Sequence, residues 1–418
     1  MQPIPQFRPL RSGSVRQFFL VGLPLTLAIS LHVCTATYAD DVQFKRIKLD
    51  ERFRSEGVAA ADINHDELTD VFAGDVWYEA PEWKVHPLRP VGNFVAGVGY
   101  SNSFVNFAHD VNQDGWPDLI LIGFPGDPFF WYENPKNEEG HWKEHVIWHS
   151  ACNEGPYFAD LTGDGTPEIL LGSQPEAQMG FLSVPPPEKA NEKWSFIPIS
   201  APGDPNLNGT FKYYHGLGIG DMNLDDRLDV LIAHGWWEAP EKRESEEWKF
   251  HPYVLSTDGN LPALPVSDIH AIDLDLDGDQ DLITASPHKY GIWWFENVSE
   301  GDEWKFKYHL IEESFSQTHA SFLVDLNGDG ERDFVTGKRY FAHNGGDPGE
   351  YDPVVMFWYE IKRTKGQPPE FVAHEIEAGK DTGVGTQFAI QDFDGDDRLD
   401  IILSNKKGVN LLLQVSDK

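Results

Sequence analysis

One acidic nonapeptide, written seven times, constrains this chain more than any other feature of its sequence. Oxygen-bearing side chains occupy positions 1, 3, 5 and 9 of every copy. The copies are Asp62-Asn64-Asp66-Asp70, Asp110-Asn112-Asp114-Asp118, Asp160-Thr162-Asp164-Glu168, Asp221-Asn223-Asp225-Asp229, Asp273-Asp275-Asp277-Asp281, Asp325-Asn327-Asp329-Asp333 and Asp392-Asp394-Asp396-Asp400. Their first residues are 48, 50, 61, 52, 52 and 67 positions apart. A unit of that period cannot bury an apolar face alone and must pack on its neighbours, so 418 residues read as one repetitive body.

Calcium takes six to eight oxygens in flexible geometry, and a tight loop that turns every second side chain inward supplies several of them. Gly115, Gly165, Gly278 and Gly330 stand at position 6, where the turn needs a left-handed backbone; Glu67, Asp226 and Asp397 replace glycine there, and those loops are expected to be looser. A helix–loop–helix calcium hand is excluded, because it needs Glu at position 12 and helical flanks. The ligand positions hold 23 carboxylates, which repel one another without cations. At least four of the loops are expected to bind Ca2+.

The flanks read as strands. Leu119-Ile120-Leu121-Ile122, Val230-Leu231-Ile232-Ala233 and Ile401-Ile402-Leu403 follow the loops directly. An aromatic strand and a last strand come next, as in Val76-Trp77-Tyr78-Glu79 with Trp83-Lys84-Val85-His86. The expected fold is therefore all-β: a seven-bladed β-propeller of four-stranded blades. The seventh unit stops after Leu411-Leu412-Leu413-Gln414, and residues 42–47 supply its missing strand, pairing with residues 410–415 to close the ring. His86, His145, His251, His309 and His374 recur on the last strands and read as structural, as do the recurrent tryptophans.

Residues 1–39 read as a signal peptide: Arg8, Arg11 and Arg16 precede an apolar run from Phe18 to Val33, and small residues surround Ala39. Lipid anchoring at Cys34 is the variant. Residues 40–418 are then an exported propeller, periplasmic, extracellular or at the cell surface, with no stable membrane span after cleavage. A net charge of −35 excludes nucleic acid as a partner. A monomer is expected, and Cys152 is read as an unreactive thiol.

The Asp-x-Asn-x-Asp-Gly-x-x-Asp loops, each followed by an apolar strand, resemble the FG-GAP/VCBS repeats of integrin-α-type propellers over essentially all of residues 40–418. More distantly, the Trp-Tyr-Glu-Asn elements are similar to the propeller of aldos-2-ulose dehydratase. The resemblance implies calcium in the loop between first and second strands, on the bottom face. The residues six positions before each loop then ring the top mouth of the channel; among them are Glu56, Glu154, His215 and His319, with His270 placed there through a shifted register. Loops on the same face add His234, His288, Lys289, Lys338, Arg339 and His343, and the long loop from Gly337 to Pro353 is expected to fold over them.

Imidazoles facing a carboxylate bind zinc or a similar ion, or act as general bases. Glu154, His215, His270 and His319 are therefore the candidate catalytic set, with one further divalent ion at the channel mouth. The leading expectation is a calcium-binding propeller that binds a ligand, a carbohydrate, at its top face. One alternative is a lyase or dehydratase of keto-sugars, in which Lys338 or Arg339 steadies an enolate. Another is an adhesion or scaffold propeller with a cell-surface protein ligand.

Overall fold

The computed structural model describes residues 42–378 and 382–415. The expected signal peptide, its cleavage at Ala39 and the anchor at Cys34 lie outside the described residues. Within them the chain is all-β, with a single short 3-10 turn at Pro187–Lys189 and no α-helix. No helix there is long and apolar enough to cross a membrane.

Each repeat builds four antiparallel strands in chain order. In the first these are Ala59–Ala61, Asp70–Ala73, Val76–Glu79 and Lys84–Pro87. The acidic nonapeptide always joins the first strand to the second, and first strands of neighbouring repeats touch one another. Apolar clusters lie between repeats: Phe72, Leu119, Leu121 and Tyr132 join the first to the second, and Val71, Tyr78, Ile402 and Leu411 join the last to the first. Period-2 strands with both faces apolar require such a neighbour on each side. Gln43–Asp50 completes the last sheet, pairing with Gly408–Val415 from Gln43 opposite Val415 to Ile47 opposite Leu411.

The expectation of seven separate blades needs correction. Five four-stranded sheets stand alone, and the fourth and fifth repeats share one eight-stranded sheet. Its halves join where Leu217–Gly220 runs parallel to Ile269–Ile272. Glycine permits this approach. A Cβ on Gly218 would lie 2.2 Å from the Ile269 carbonyl oxygen, and one on Gly220 would lie 2.6 Å from the Ala271 Cβ.

All seven acidic loops make the same turn, including those without glycine. Position 6 has positive φ throughout: 72° at Glu67, 90° at Gly115, 92° at Gly165, 65° at Asp226, 104° at Gly278, 92° at Gly330 and 65° at Asp397. Its N–H donates to the position-1 carboxylate at 2.8 to 3.2 Å in every copy. The three loops expected to be looser are therefore formed like the others. Position 9 is buried and accepts the position-2 N–H, as Asp118 does from Val111 at 3.0 Å. Burial raises the position-9 acids, Asp118 to about 8 and Asp229, Asp281 and Asp333 to about 7.

The recurrent histidines are structural in the described blades. His86, His145, His251, His309 and His374 stack on Trp77, Trp131, Trp236, Trp294 and Trp358 with ring centroids 4.1 to 4.5 Å apart. Each also faces a strand-end glutamate, such as Glu79 at 2.6 Å from His86. Cys152 is buried and donates to the Gly172 carbonyl at 3.0 Å; burial pushes its thiol up to about 12, so it is a poor nucleophile.

Candidate functional site

Four side chains from three repeats converge at the mouth of the axis. One potential ligand atom each from Glu154, His215, His319 and His343 lies within 4.8 Å of the others. Glu154 belongs to the strand Ala151–Ala159, while His215 and His319 precede Leu217–Gly220 and Ser321–Val324. His343 comes from the long loop after Asp333–Gly337. The ring of His319 is 5.2 Å from that of His215 and 5.1 Å from that of His343.

The tautomers of two imidazoles are set from behind. His319 Nδ1 donates to the Gln317 carbonyl at 3.1 Å, and His343 Nδ1 donates to Asp347 at 2.5 Å. Both Nε2 atoms are left as lone-pair donors. The Nε2 atoms of His215, His319 and His343 are all buried without a hydrogen-bond partner, and that of His215 is 3.5 Å from Glu154. Such orphaned groups cost stability unless something occupies the space between them.

Arg339 controls the charge. It is fully buried, 3.0 Å from Glu56 and 2.9 Å from Glu154. Burial alone would raise Glu154, but His215, Arg339 and His343 outweigh it and hold the carboxyl well below its usual range. Burial first, then the Arg339 charge, pushes His319 well below its ordinary value and His343 down to about 4, so both imidazoles stay neutral. The centre is one carboxylate and three imidazoles, a donor set suited to a divalent cation.

The long loop is pinned in place from within. Glu350 accepts the N–H groups of His343 at 2.8 Å and Asp347 at 3.0 Å. Gln317 accepts from Ala342 and Arg339. Lys406 donates to the Phe341 carbonyl at 2.9 Å, lies 4.3 Å from the Tyr100 ring centre, and is pushed down to about 8 by burial.

The other expected residues divide. His288 joins the edge of the cluster, half-buried, with Nδ1 2.9 Å from Asp347. His270 does not join: its Nε2 meets Ser321 Oγ at 2.9 Å, and it lines a lower cavity. Its position three residues before Asp273, where the other members stand six before their loops, puts it about 10 Å further along an extended strand. His234 meets Tyr214 at 3.2 Å instead. Lys289 is exposed, and Lys338 turns away to the Gly349 carbonyl at 2.6 Å. Arg339 is consumed by Glu56 and Glu154, so neither it nor Lys338 is placed to steady an enolate. Asp347, Gln317 and Glu350 were not among the predicted site residues; the unusual length of the loop was the only signal for the first and third.

The cavity beside Glu154, His215 and His319 measures about 10 Å3, enough for one water or ion and far too small for a sugar. Among the acidic loops, Asp273, Asp275 and Asp281, and separately Asp392, Asp394 and Asp400, bring carboxylate oxygens within 4.8 Å of one another. Internal cations meet position 5 in three copies, the seventh among them: Lys136 is 3.0 Å from Asp114, Arg227 pairs with Asp225, and Arg398 pairs with Asp396.

Residues 110–171 and 273–336 match the family model of the FG-GAP-like repeat. No curated protein matches the chain. Among solved structures, an Agrocybe aegerita lectin described as recognising non-reducing terminal N-acetylglucosamine is similar at 14% identity, covering 81% of this chain and 87% of its own, with a TM-score of 0.42. Saccharomyces cerevisiae Sqt1 is similar at 9% identity over 91% and 100% of the two chains, with a TM-score of 0.47. The V. cholerae biofilm matrix protein Bap1 is similar at 10% identity over 90% and 84%, with a TM-score of 0.37. The two matched stretches each run from one acidic loop, past the next, into the strand that follows it, so FG-GAP-like repeats are found at those residues within a β-propeller arrangement of four-stranded sheets.

Proposed function

We propose that this chain is an exported propeller that binds a ligand, a carbohydrate, at the mouth of its axis, through one divalent cation held by Glu154, His215, His319 and His343. The observation that carries this reading is the convergence of three buried, unpartnered Nε2 atoms on one carboxylate. Asp347 behind His343 and the Gln317 carbonyl behind His319 supply the outer contacts that orient metal-binding imidazoles. The ion would act as a Lewis acid toward a ligand hydroxyl or carbonyl. His288 and Asp347, both half-buried, form the rim that the ligand would meet first.

Calcium in the acidic loops is the second part of the proposal, with a structural role. The oxygen donors fit a hard cation, and the fit differs between loops. In the fourth and seventh copies Arg227 and Arg398, at position 7, already neutralise position 5. The fifth copy, with four aspartates and no such arginine, is the strongest candidate.

Elemental analysis of purified protein, with and without mild chelation, tests both parts. Calcium together with about one equivalent of zinc or a similar metal is expected, the latter lost in His343→Ala and in Glu154→Gln. Failure of the wild-type protein to take up Zn2+ at micromolar concentration would overturn the axial site. A glycan array probed with loaded and stripped protein tests the ligand class; binding that ignores the metal would overturn its assignment to the mouth.

A further inference from the structure

Below the mouth, the axis widens into a chamber whose origin lies in the sequence. The residues five positions before the acidic loops are Gly57, Val105, Gly155, Gly216, Asp268, Ala320 and Gln387. Gly155 and Ala320 leave their side of this level unfilled, and the cavity they line there measures about 340 Å3. Phe107, Tyr157, Phe158 and Phe322 wall it, Phe107 and Phe158 stacked at 5.0 Å.

Two longer polar side chains reach this level, and they differ. Gln387 is fully engaged with the backbone of Asn106, accepting its N–H and donating to its carbonyl, each at 2.8 Å. Asp268 accepts the Ser321 N–H with Oδ2 at 3.0 Å, while Oδ1 takes no donor among the described residues. That oxygen stands 3.6 Å from where a side chain on Gly155 would begin. Asp268 is partly exposed to this space, and its Oδ1 can accept a hydrogen bond from a ligand hydroxyl there. No Lys or Arg lines the space, and burial keeps the His270 imidazole neutral, so an anionic occupant would lie uncompensated.

The geometry points to a second ligand site in this chamber, one that takes a neutral, monosaccharide-sized polyhydroxy ring. Its apolar ring face lies on the Phe107–Phe158 wall and one hydroxyl meets Asp268 Oδ1. The volume is at the lower end of small-molecule pockets, roughly 300–1,000 Å3, which excludes an oligosaccharide. The chamber adjoins the small cavity of the mouth through Gly155, Asp268 and Thr386, but none of its walls is a member of the Glu154, His215, His319 and His343 cluster.

Saturation-transfer NMR and calorimetry with D-glucose, D-galactose and D-mannose test this, with D-glucuronate as the charged control. At least one neutral hexose is expected to bind and glucuronate not to. Asp268→Ala should weaken binding about tenfold, the loss of one buried hydrogen bond. Gly155→Val should abolish it by filling the space, at a position whose backbone is not left-handed. In protein stripped of the axial metal by a zinc-selective chelator with Ca2+ kept in excess, where the mouth has no cation to hold a ligand, hexose binding should remain. The inference is overturned if no neutral hexose binds at 50-fold the protein concentration in the millimolar range (about 1 to 50 mM). It is equally overturned if binding to the metal-stripped protein survives both chamber variants, or if stripping the metal alone abolishes it.

Discussion

Replacing Arg339 with Met tests the charge balance of the mouth. Arg339 is fully buried between Glu56, whose side chain is also 0% exposed, and Glu154 at 9%. Methionine matches much of its aliphatic length and removes the charge, leaving two buried carboxylates with only Lys406, 3.9 Å from Glu56, and His215, 3.5 Å from Glu154. Removing one partner of a buried pair costs about 3–5 kcal/mol, because the remaining charge stays uncompensated. Chemical denaturation followed by tryptophan fluorescence should show a loss of that size in metal-free protein. Neutralising Glu56 as well, in Glu56→Gln/Arg339→Met, should recover a substantial part, since the loss belongs to the stranded carboxylates and not to missing side-chain volume. A divalent ion at the mouth would take over part of the role of Arg339, so added Zn2+ should stabilise Arg339→Met more than wild type. A loss below about 1 kcal/mol, or a double variant no better than the single one, would refute the reasoning.

Chelation should lower the melting temperature markedly at neutral pH, because the acidic loops lose their counter-charge; an unchanged melting curve with calcium removal confirmed would contradict a structural role for the ion. Arg398→Gln should free Asp396 and raise calcium affinity at the seventh loop severalfold, measured by calorimetry against wild type. Asp268→Asn should change stability with pH. Burial raises the Asp268 carboxyl to about 7, above its unfolded value near 4, so its contribution is present below about pH 4 and lost as pH rises through 7. The variant should therefore match wild type at pH 4 and exceed it at pH 8; equal denaturation midpoints at pH 8 would count against a buried, ionising Asp268. Deleting residues 43–50 should expose the edge of Gly408–Val415 and promote aggregation, seen by light scattering.

Much of this protein is written locally. The spacing of the nonapeptides, the apolar runs after them and the leftover strand at each end of the propeller depend on neighbours in sequence, and they marked the strand pairs, including residues 42–47 against 410–415; the register, Gln43 opposite Val415, came from the structure. The position-6 turn is equally local, since a carboxylate five residues back accepts its N–H whichever residue stands there. Glu154, His215 and His319 were also legible, because the repeat assigns each the same distance from its loop. What escaped depends on contacts across the axis. His343 was read as part of the covering loop, but its place in the centre itself comes from Glu350 and Gln317, which fold that loop inward, and no repeat position predicts that. Arg339 looked like equipment of an open lid, yet two glutamates more than 180 positions away in sequence draw it into the interior. His270 has the right residue type at the wrong height along its strand, and the joined fourth and fifth sheets follow from two glycines whose missing side chains matter only once a neighbouring strand lies against them. Sequence period determines which residues share a level of the propeller; the distance between strands across the axis decides which of them meet.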